Sequence, residues 1–273
     1  SYSGVVEGRS VTYGGGYFIA TAINGSVDTV YSSNGTQWTG LGSSIFGGTG
    51  YGGYGVSYGI SYYFSKSSNS LAYSTTSGTT WTGLGRTIFS VQGFGICYGN
   101  SLYIATGQGT NSLAYSSNAT QWVGLGTTIF SLFGYNAAWS STLNMFISVG
   151  SGINTVAYST NGTQWTGLGT TIFGYQGRGV SWSGNYFVAN GYCLINSIAY
   201  SYNGTIWTGV GTTFFTICGN NTFSYSVNSS SNTLGYSNDG ITWTGLGSSL
   251  FLQTNGITYG NNLFIATGQG YFD

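Results

Sequence analysis

Six tryptophans, Trp38, Trp81, Trp122, Trp165, Trp207 and Trp243, follow one another along the chain at intervals of 43, 41, 43, 42 and 36 residues. Each closes the same phrase: Tyr31-Ser-Ser-Asn-Gly-Thr-Gln-Trp38, Tyr158-Ser-Thr-Asn-Gly-Thr-Gln-Trp165, and on to Tyr236-Ser-Asn-Asp-Gly-Ile-Thr-Trp243. A Gly-Leu-Gly or Gly-Val-Gly phrase and a short β-branched and Phe stretch, such as Thr170-Thr-Ile-Phe173, come next. A unit of this size cannot bury its own apolar face. It has to stack on its neighbours, so the period itself selects a repeat architecture.

Each unit reads as four strands. Strand one resembles Gly95–Tyr98, a Gly99-Asn100 turn follows, and strand two resembles Ser101–Ala105, with apolar residues alternating at Leu102 and Ile104. A turn at Gly107-Gln-Gly109 leads to strand three, Ser112–Ser116. An Asn-Gly hairpin, as at Asn161-Gly162, is expected to take φ > 0 at both central residues and to lead to a fourth strand carrying the Trp. Glycines flank most first strands, where backbones crowd a central channel. The expected fold is all-β, a β-propeller of four-stranded antiparallel blades forming one domain over residues 1–273. Residues 252–273 repeat only strands one and two. The favoured closure has seven blades, with this segment as the inner strands of the seventh and residues 1–6 adding an outer strand. Six blades plus a tail is the other arrangement.

Composition agrees with a folded all-β chain. Of 273 residues 49 are Gly and none is Pro or His, while 41% are hydrophobic and 18% aromatic, enough for a core. Charged residues are only 3%: Lys66, Arg9, Arg86 and Arg178 against Glu7, Asp28, Asp239 and Asp273. No basic stripe tracks a phosphate backbone, and no polybasic cluster suits an anionic membrane, so nucleic acid and membrane insertion are not expected as partners. No apolar run approaches the roughly 18 residues of a membrane span. No signal peptide is visible, and a start at Ser1 is compatible with processing. Of the three cysteines, Cys193 and Cys218 fall in successive repeats and could pair. The other reading makes all three, Cys97 included, small buried apolar residues.

The Tyr-Ser-x-Asn/Asp-Gly-x-x-Trp phrase resembles the Asp-box of sialidase-type (BNR-repeat) propellers. There a Ser, an Asp, a Gly and a Trp follow in order on the hairpin between strands three and four. Here the turn is one residue shorter and only Asp239 keeps the acid. Asn34, Asn118, Asn161 and Asn203 replace it elsewhere, and the second repeat has Thr76-Ser77-Gly78. The whole repeat is also similar to uncharacterised tandem repeats of large viruses of algae and protists. The resemblance implies the fold, and it places this hairpin on the face opposite a sialidase active site.

A sialidase clamps a carboxylate with three arginines. Arg9 and Arg178 occupy equivalent positions, but Arg86 follows a Trp phrase, and the carboxylates are scattered over different turns. Without His there is no Ser-His-Asp set, no Cys-His pair and no convincing zinc site. No catalytic residue, metal or cofactor is expected. The motif Trps read as packing rather than as sugar-stacking platforms. Seven Asn-x-Ser/Thr sequons, at Asn24, Asn34, Asn118, Asn161, Asn203, Asn220 and Asn228, read either as turn chemistry or as glycan acceptors.

One pattern breaks the repetition. At the entry to strand one stand Arg9, Tyr54, Phe94, Tyr135, Arg178 and Asn255, and two residues earlier Glu7, Gly52, Gln92, Phe133, Gln176 and Gln253. These variable positions are rich in Arg, aromatics and amides, and they are expected to ring one mouth of the channel. The expected function is a non-enzymatic, extracellular or virion-surface structural, adhesive or recognition module that contacts protein surfaces or glycans and self-associates. A glycan-binding lectin is one alternative and a sialidase-like glycosidase the other.

Overall fold

The structure, a computed structural model, describes residues 7–23, 26–43, 53–57, 60–63, 69–192, 196–211, 235–239, 241–245, 253–260 and 263–269. All regular structure among them is strand. The first sheet runs in order through β1 Glu7–Gly14, β2 Tyr17–Ile23, β3 Thr29–Ser32 and β4 Thr39–Gly40. The second holds β5 Gly53–Ser57, β6 Ile60–Tyr63, β7 Leu71–Tyr73 and β8 Thr82–Gly83, and the third β9 Gln92–Gly99, β10 Leu102–Gln108, β11 Leu113–Ser116 and β12 Val123–Gly124. The fourth repeat supplies β13 Phe133–Ser140, β14 Met145–Ser151, β15 Val156–Ser159 and β16 Thr166–Gly167. The fifth supplies β17 Gln176–Trp182, β18 Phe187–Tyr192, β19 Ile198–Ser201 and β20 Thr208–Gly211. A bridge between Ser151 and Gln176 joins these two repeats into one sheet.

The sixth repeat contributes β21 Gly235–Ser237 and β22 Thr244–Gly245. Beside β21 lies β24 Leu263–Gln269, and beyond it β23 Gln253–Gly260, so the order is β22-β21-β24-β23. The C-terminal strand pair therefore shares a sheet with the outer strands of repeat six. The repetition explains this. Leu263-Phe-Ile-Ala-Thr-Gly-Gln269 differs from Leu102-Tyr-Ile-Ala-Thr-Gly-Gln108 at one residue. Accordingly Ala266 opposes Gly235 and Ile265 opposes Tyr236, just as Ala105 opposes Ala114 and Ile104 opposes Tyr115. A second strand of this sequence fits the third strand of any repeat. Residues 1–6, expected to close the ring, lie outside the described residues.

The chain divides into two compact units, residues 1–128 with 132–134, and residues 129–131 with 135–273. In the first unit the core gathers Leu71, Phe89, Ala105 and Ala114. In the second it gathers Ile147, Val149, Val156, Phe173, Phe187 and Ala189. Phe89, Phe130 and Phe173 close the β-branched phrase after three of the Trps, and each is fully buried. Such a side chain contributes about 1.5–3 kcal/mol by leaving water.

The turns differ from expectation in an informative way. The Asn-Gly pair does not make a two-residue hairpin: Gly35, Gly162 and Gly204 take positive φ, and the preceding asparagines do not. The tight hairpin lies instead between strands one and two, where Asn100 (φ 48) and Ser101 (φ 59) both take the left-handed conformation. Asn161 does another job. Its Oδ1 accepts the N–H of Thr163 at 3.0 Å and of Gln164 at 2.9 Å, and the Ser159 hydroxyl donates to it at 3.2 Å. The Gly162 N–H donates to Ser159 Oγ at 2.8 Å, and Trp165 Nε1 donates to the Gly162 carbonyl at 3.1 Å. The same set recurs around Asn34, Asn118 and Asn203. Side-chain acceptors at Asn and Ser compete for turn N–H groups, which opens the loop.

The Trps precede strand four rather than lying within it. Trp81 is buried, whereas Trp38, Trp122, Trp165, Trp207 and Trp243 are half-buried. A second repeated asparagine staples the connectors. Asn111 Nδ2 donates to the Ile88 carbonyl at 2.6 Å while its Oδ1 accepts the Gly126 N–H at 2.7 Å. Asn154 and Asn196 repeat the bond pair with Ile129 and Gly169, and with Ile172 and Gly211.

Candidate functional site

Five of the six variable positions at the entry to strand one share a single local structure. The β1–β2 register shifts between Gly8 and Ser10, leaving Arg9 as the extra residue. The β9–β10 register leaves Phe94, the β17–β18 register Arg178 and the β23–β24 register Asn255. In β5–β6 the shift spans Tyr54 and Gly55. Each is a β-bulge, which unpairs one residue and re-aims its side chain. A glycine precedes Arg9, Tyr54, Phe94, Tyr135 and Arg178. A Cβ on Gly177 would meet the Thr155 carbonyl oxygen at 2.5 Å and Val149 Cβ at 2.8 Å, so the neighbouring strand excludes any larger residue there. The first strands β1, β5 and β9 lie beside one another in the first unit, as do β17 and β23 in the second.

In the second unit this geometry builds a polar corner. The Arg178 guanidinium stands over the Tyr135 ring, 4.4 Å from its centroid. Burial pushes the Tyr135 hydroxyl above its ordinary range, partly offset by the Arg178 charge. Ser151 pairs with Gln176 across the two repeats. Asn190, 4% exposed, opposes the bulge through Gly179. Two buried amide oxygens of this strand pair, Gln176 Oε1 and Asn190 Oδ1, accept no hydrogen bond, and neither does Gln92 Oε1 in the third repeat. Asn190 and Ser151 have no signal in the repeat phrase, because Asn190 stands where Thr21 and Thr106 stand in other repeats. Only the pairing register reveals them.

In the first unit Gln92 Nε2 donates to Gln108 Oε1 at 3.0 Å, and Phe94 meets Phe133 edge-on at 6.1 Å. Arg86 lies apart from the bulges and donates to the Ser90 and Val91 carbonyls. Asp28 is 2% exposed, where other repeats carry Ser or Thr. Asp239 is held in its turn by the N–H groups of Ile241 and Thr242 and by the Ser237 hydroxyl. Cys97 is a free thiol that burial pushes above its ordinary range, which keeps it protonated. The side chains of Glu7, Arg9, Tyr54 and Asn255 lie outside the described residues, as do Cys193, Cys218, Asn24, Asn220 and Asn228. Among the described residues no three His, Cys, Asp or Glu side chains gather as metal ligands, and no helix is long and apolar enough to cross a membrane.

No protein-family model matches the sequence and no curated protein matches it. Solved structures do. Virginiamycin B lyase from Staphylococcus aureus superposes with a TM-score of 0.70 at 10% identity, over 95% of this chain and 94% of that one. A streptogramin B lyase gives 0.67 at 10% identity, over 97% and 94%. A Niastella koreensis GH74 enzyme gives 0.60 at 17% identity, covering 98% of this chain but only 44% of that one. The fold is a β-propeller. At such identities the likeness extends to the fold alone, and function has to be argued from this chain's own residues.

Within this propeller the hairpin and connector residues are bound to one another. The bulge residues of β9 and β17 are an aromatic, edge-on to Phe133, and a cation stacked on Tyr135.

Proposed function

We propose that this propeller is a non-enzymatic recognition module of the divergent Asp-box type, displayed outside the cell or on a virion surface, which contacts protein surfaces or glycans through its bulge residues. The observation that supports this reading is a division of labour. The repeated Ser, Asn and Trp residues are consumed in turn hydrogen bonds, whereas Phe94 and Arg178 differ at one bulge position and Tyr135 differs at the matching place in its repeat sequence. Variation on a fixed scaffold is how binding surfaces are built. The non-enzymatic part is supported by the tasks of the two acids whose side chains are described. Asp28 is buried and Asp239 is tied into its turn.

The lectin alternative is favoured by the chemistry of the second-unit corner. An Arg stacked on Tyr suits a small polar ligand better than a flat protein face. A glycan array probed with the intact protein and with Tyr135→Asn/Arg178→Asn tests both readings. Binding that the double variant loses, with no turnover of the bound sugars, is expected. Hydrolysis or elimination of a bound sugar contradicts the non-enzymatic reading, and binding indifferent to the variant contradicts the bulge assignment.

A further inference from the structure

Each repeat has two faces, and strand alternation tells them apart. One face covers the repeat that follows. Ile19 and Tyr31 pack on Ala72 and Trp81, and Ile19 stands where a Cβ on Gly78 would go. Met145 and Ile147 stand in the same way over Gly204. The other face receives the repeat before it. In the fifth repeat Val180, Ala189 and Ala199 oppose one another across β17, β18 and β19, with Phe187 two residues before Ala189. All four are buried in one cluster with Ile147 and Val149 of the fourth repeat.

In the first repeat the receiving face is open. Val11 opposes Ala20 and Ala20 opposes Val30, so these positions match Val180, Ala189 and Ala199. Val11 is nevertheless 62% exposed, against 4% for Val180. Phe18 and Ala20 are half-buried, whereas Phe146, Phe187, Ala105 and Ala189 are fully buried. The hairpin Gly35 is exposed, whereas Gly78, Gly162 and Gly204 are buried. A sheet face with the makeup of an internal interface thus meets water, and contiguous apolar surface of this kind marks a contact site.

The occupant has to be apolar and sheet-like. A covering face of another repeat has that shape, but wherever its side chains are described that face is taken: Ile19, Leu71, Ile104, Ile147 and Val188 are all buried. Among the described residues, the uncovered face of this kind is the receiving face of repeat one itself. None of Val11, Phe18, Ala20, Val30 and Gly35 is charged, so two such faces meet without burying an ion. Gly78 and Gly204 show that the hairpin glycine serves as a hollow for a large neighbour, and Gly35 offers the same hollow beside Phe18. We propose that two copies of this chain pair through the β1–β3 faces of their first repeats, about a two-fold axis. The contact is isologous, so it hides both faces at once and stops at two. It stands independently of the recognition reading.

Sedimentation velocity over a dilution series of the intact chain tests the contact. The chain is expected to sediment as a dimer that dissociates on dilution. Val11→Lys sets two like charges into the apolar contact and should raise the dissociation constant at least about a hundredfold. Val11→Thr, the milder change, should raise it about tenfold and decides the matter should the lysine variant misfold. Ile206→Lys, at an exposed apolar residue of the fifth repeat, should leave the constant unchanged. Circular dichroism of each variant should match the parent, because Val11 and Ile206 are both exposed in the single copy. A chain that stays monomeric at every concentration overturns the proposal. So do a dimer indifferent to both Val11 variants, assemblies that grow beyond two, and an equal weakening by Ile206→Lys.

Discussion

Asp239 stands where four other repeats carry asparagine, and it makes the same bonds to two turn N–H groups and a serine hydroxyl. Burial raises its carboxyl, but the hydrogen bonds from Thr242, Ile241 and Ser237 outweigh that and hold it below the usual carboxylate range. The sign follows. A carboxyl depressed in the folded state adds stability above its unfolded pKa of about 4, and loses it as the pH falls through the folded value. Asp239→Asn should therefore unfold at nearly the same temperature at pH 7 and show a weaker fall below pH 4. An unchanged acid profile by calorimetry would contradict this. The tryptophans separate by burial. Trp81, 8% exposed, should cost about 3–5 kcal/mol when replaced by Ala. Half-buried Trp165 should cost about 2 kcal/mol, and urea unfolding of the two variants ranks them. The structural role of these residues was legible from their fixed place in each phrase. The burial of Asn190 and Ser151 was not, because it depends on strands brought alongside by the fold.

At the scale of elements, the strands were readable from alternation and from the turn residues between them, while the turn types were not. Asn-Gly in isolation favours a two-residue hairpin, but Ser159 and Asn161 offer side-chain acceptors that capture the turn N–H groups and lengthen the loop. The bulges were invisible as bulges. What the sequence displayed was their consequence, a variable residue after a glycine. The C-terminal strand pair shows the limit most clearly. Near-identical repeats leave partner choice undetermined by local sequence, and β24 occupies the edge of β21. Truncation after residue 252 should uncover that edge, lower the unfolding temperature and increase self-association, because an unpaired strand edge templates pairing. Light scattering beside the intact protein checks it. A truncated chain of unchanged stability and size would mean that β23 and β24 do not complete this sheet.

For the whole molecule, 3% charged residues leave little electrostatic repulsion between copies. Asn34, Asn118, Asn161 and Asn203 are exposed and use Oδ1 in their turns, with no hydrogen bond from Nδ2 among the described residues. Expression in a secretory eukaryotic host should therefore add glycans at some of these sites. Intact mass before and after glycosidase treatment decides it, and a mass equal to the bare polypeptide contradicts it. The central claim is that the repeated hairpin residues hold the propeller while the bulge residues serve recognition. Thermal unfolding of Tyr135→Asn/Arg178→Asn beside Ser116→Ala/Ser159→Ala tests this most directly. Each serine replacement leaves a buried turn N–H without its acceptor, at about 1–3 kcal/mol, and for a chain this long each kcal/mol lowers the midpoint by about 2–4 °C. The serine pair should therefore lose at least about 4 °C and the bulge pair less than about 2 °C. A bulge pair that destabilises as much as the serine pair would make those residues part of the scaffold and contradict the division on which the recognition reading stands.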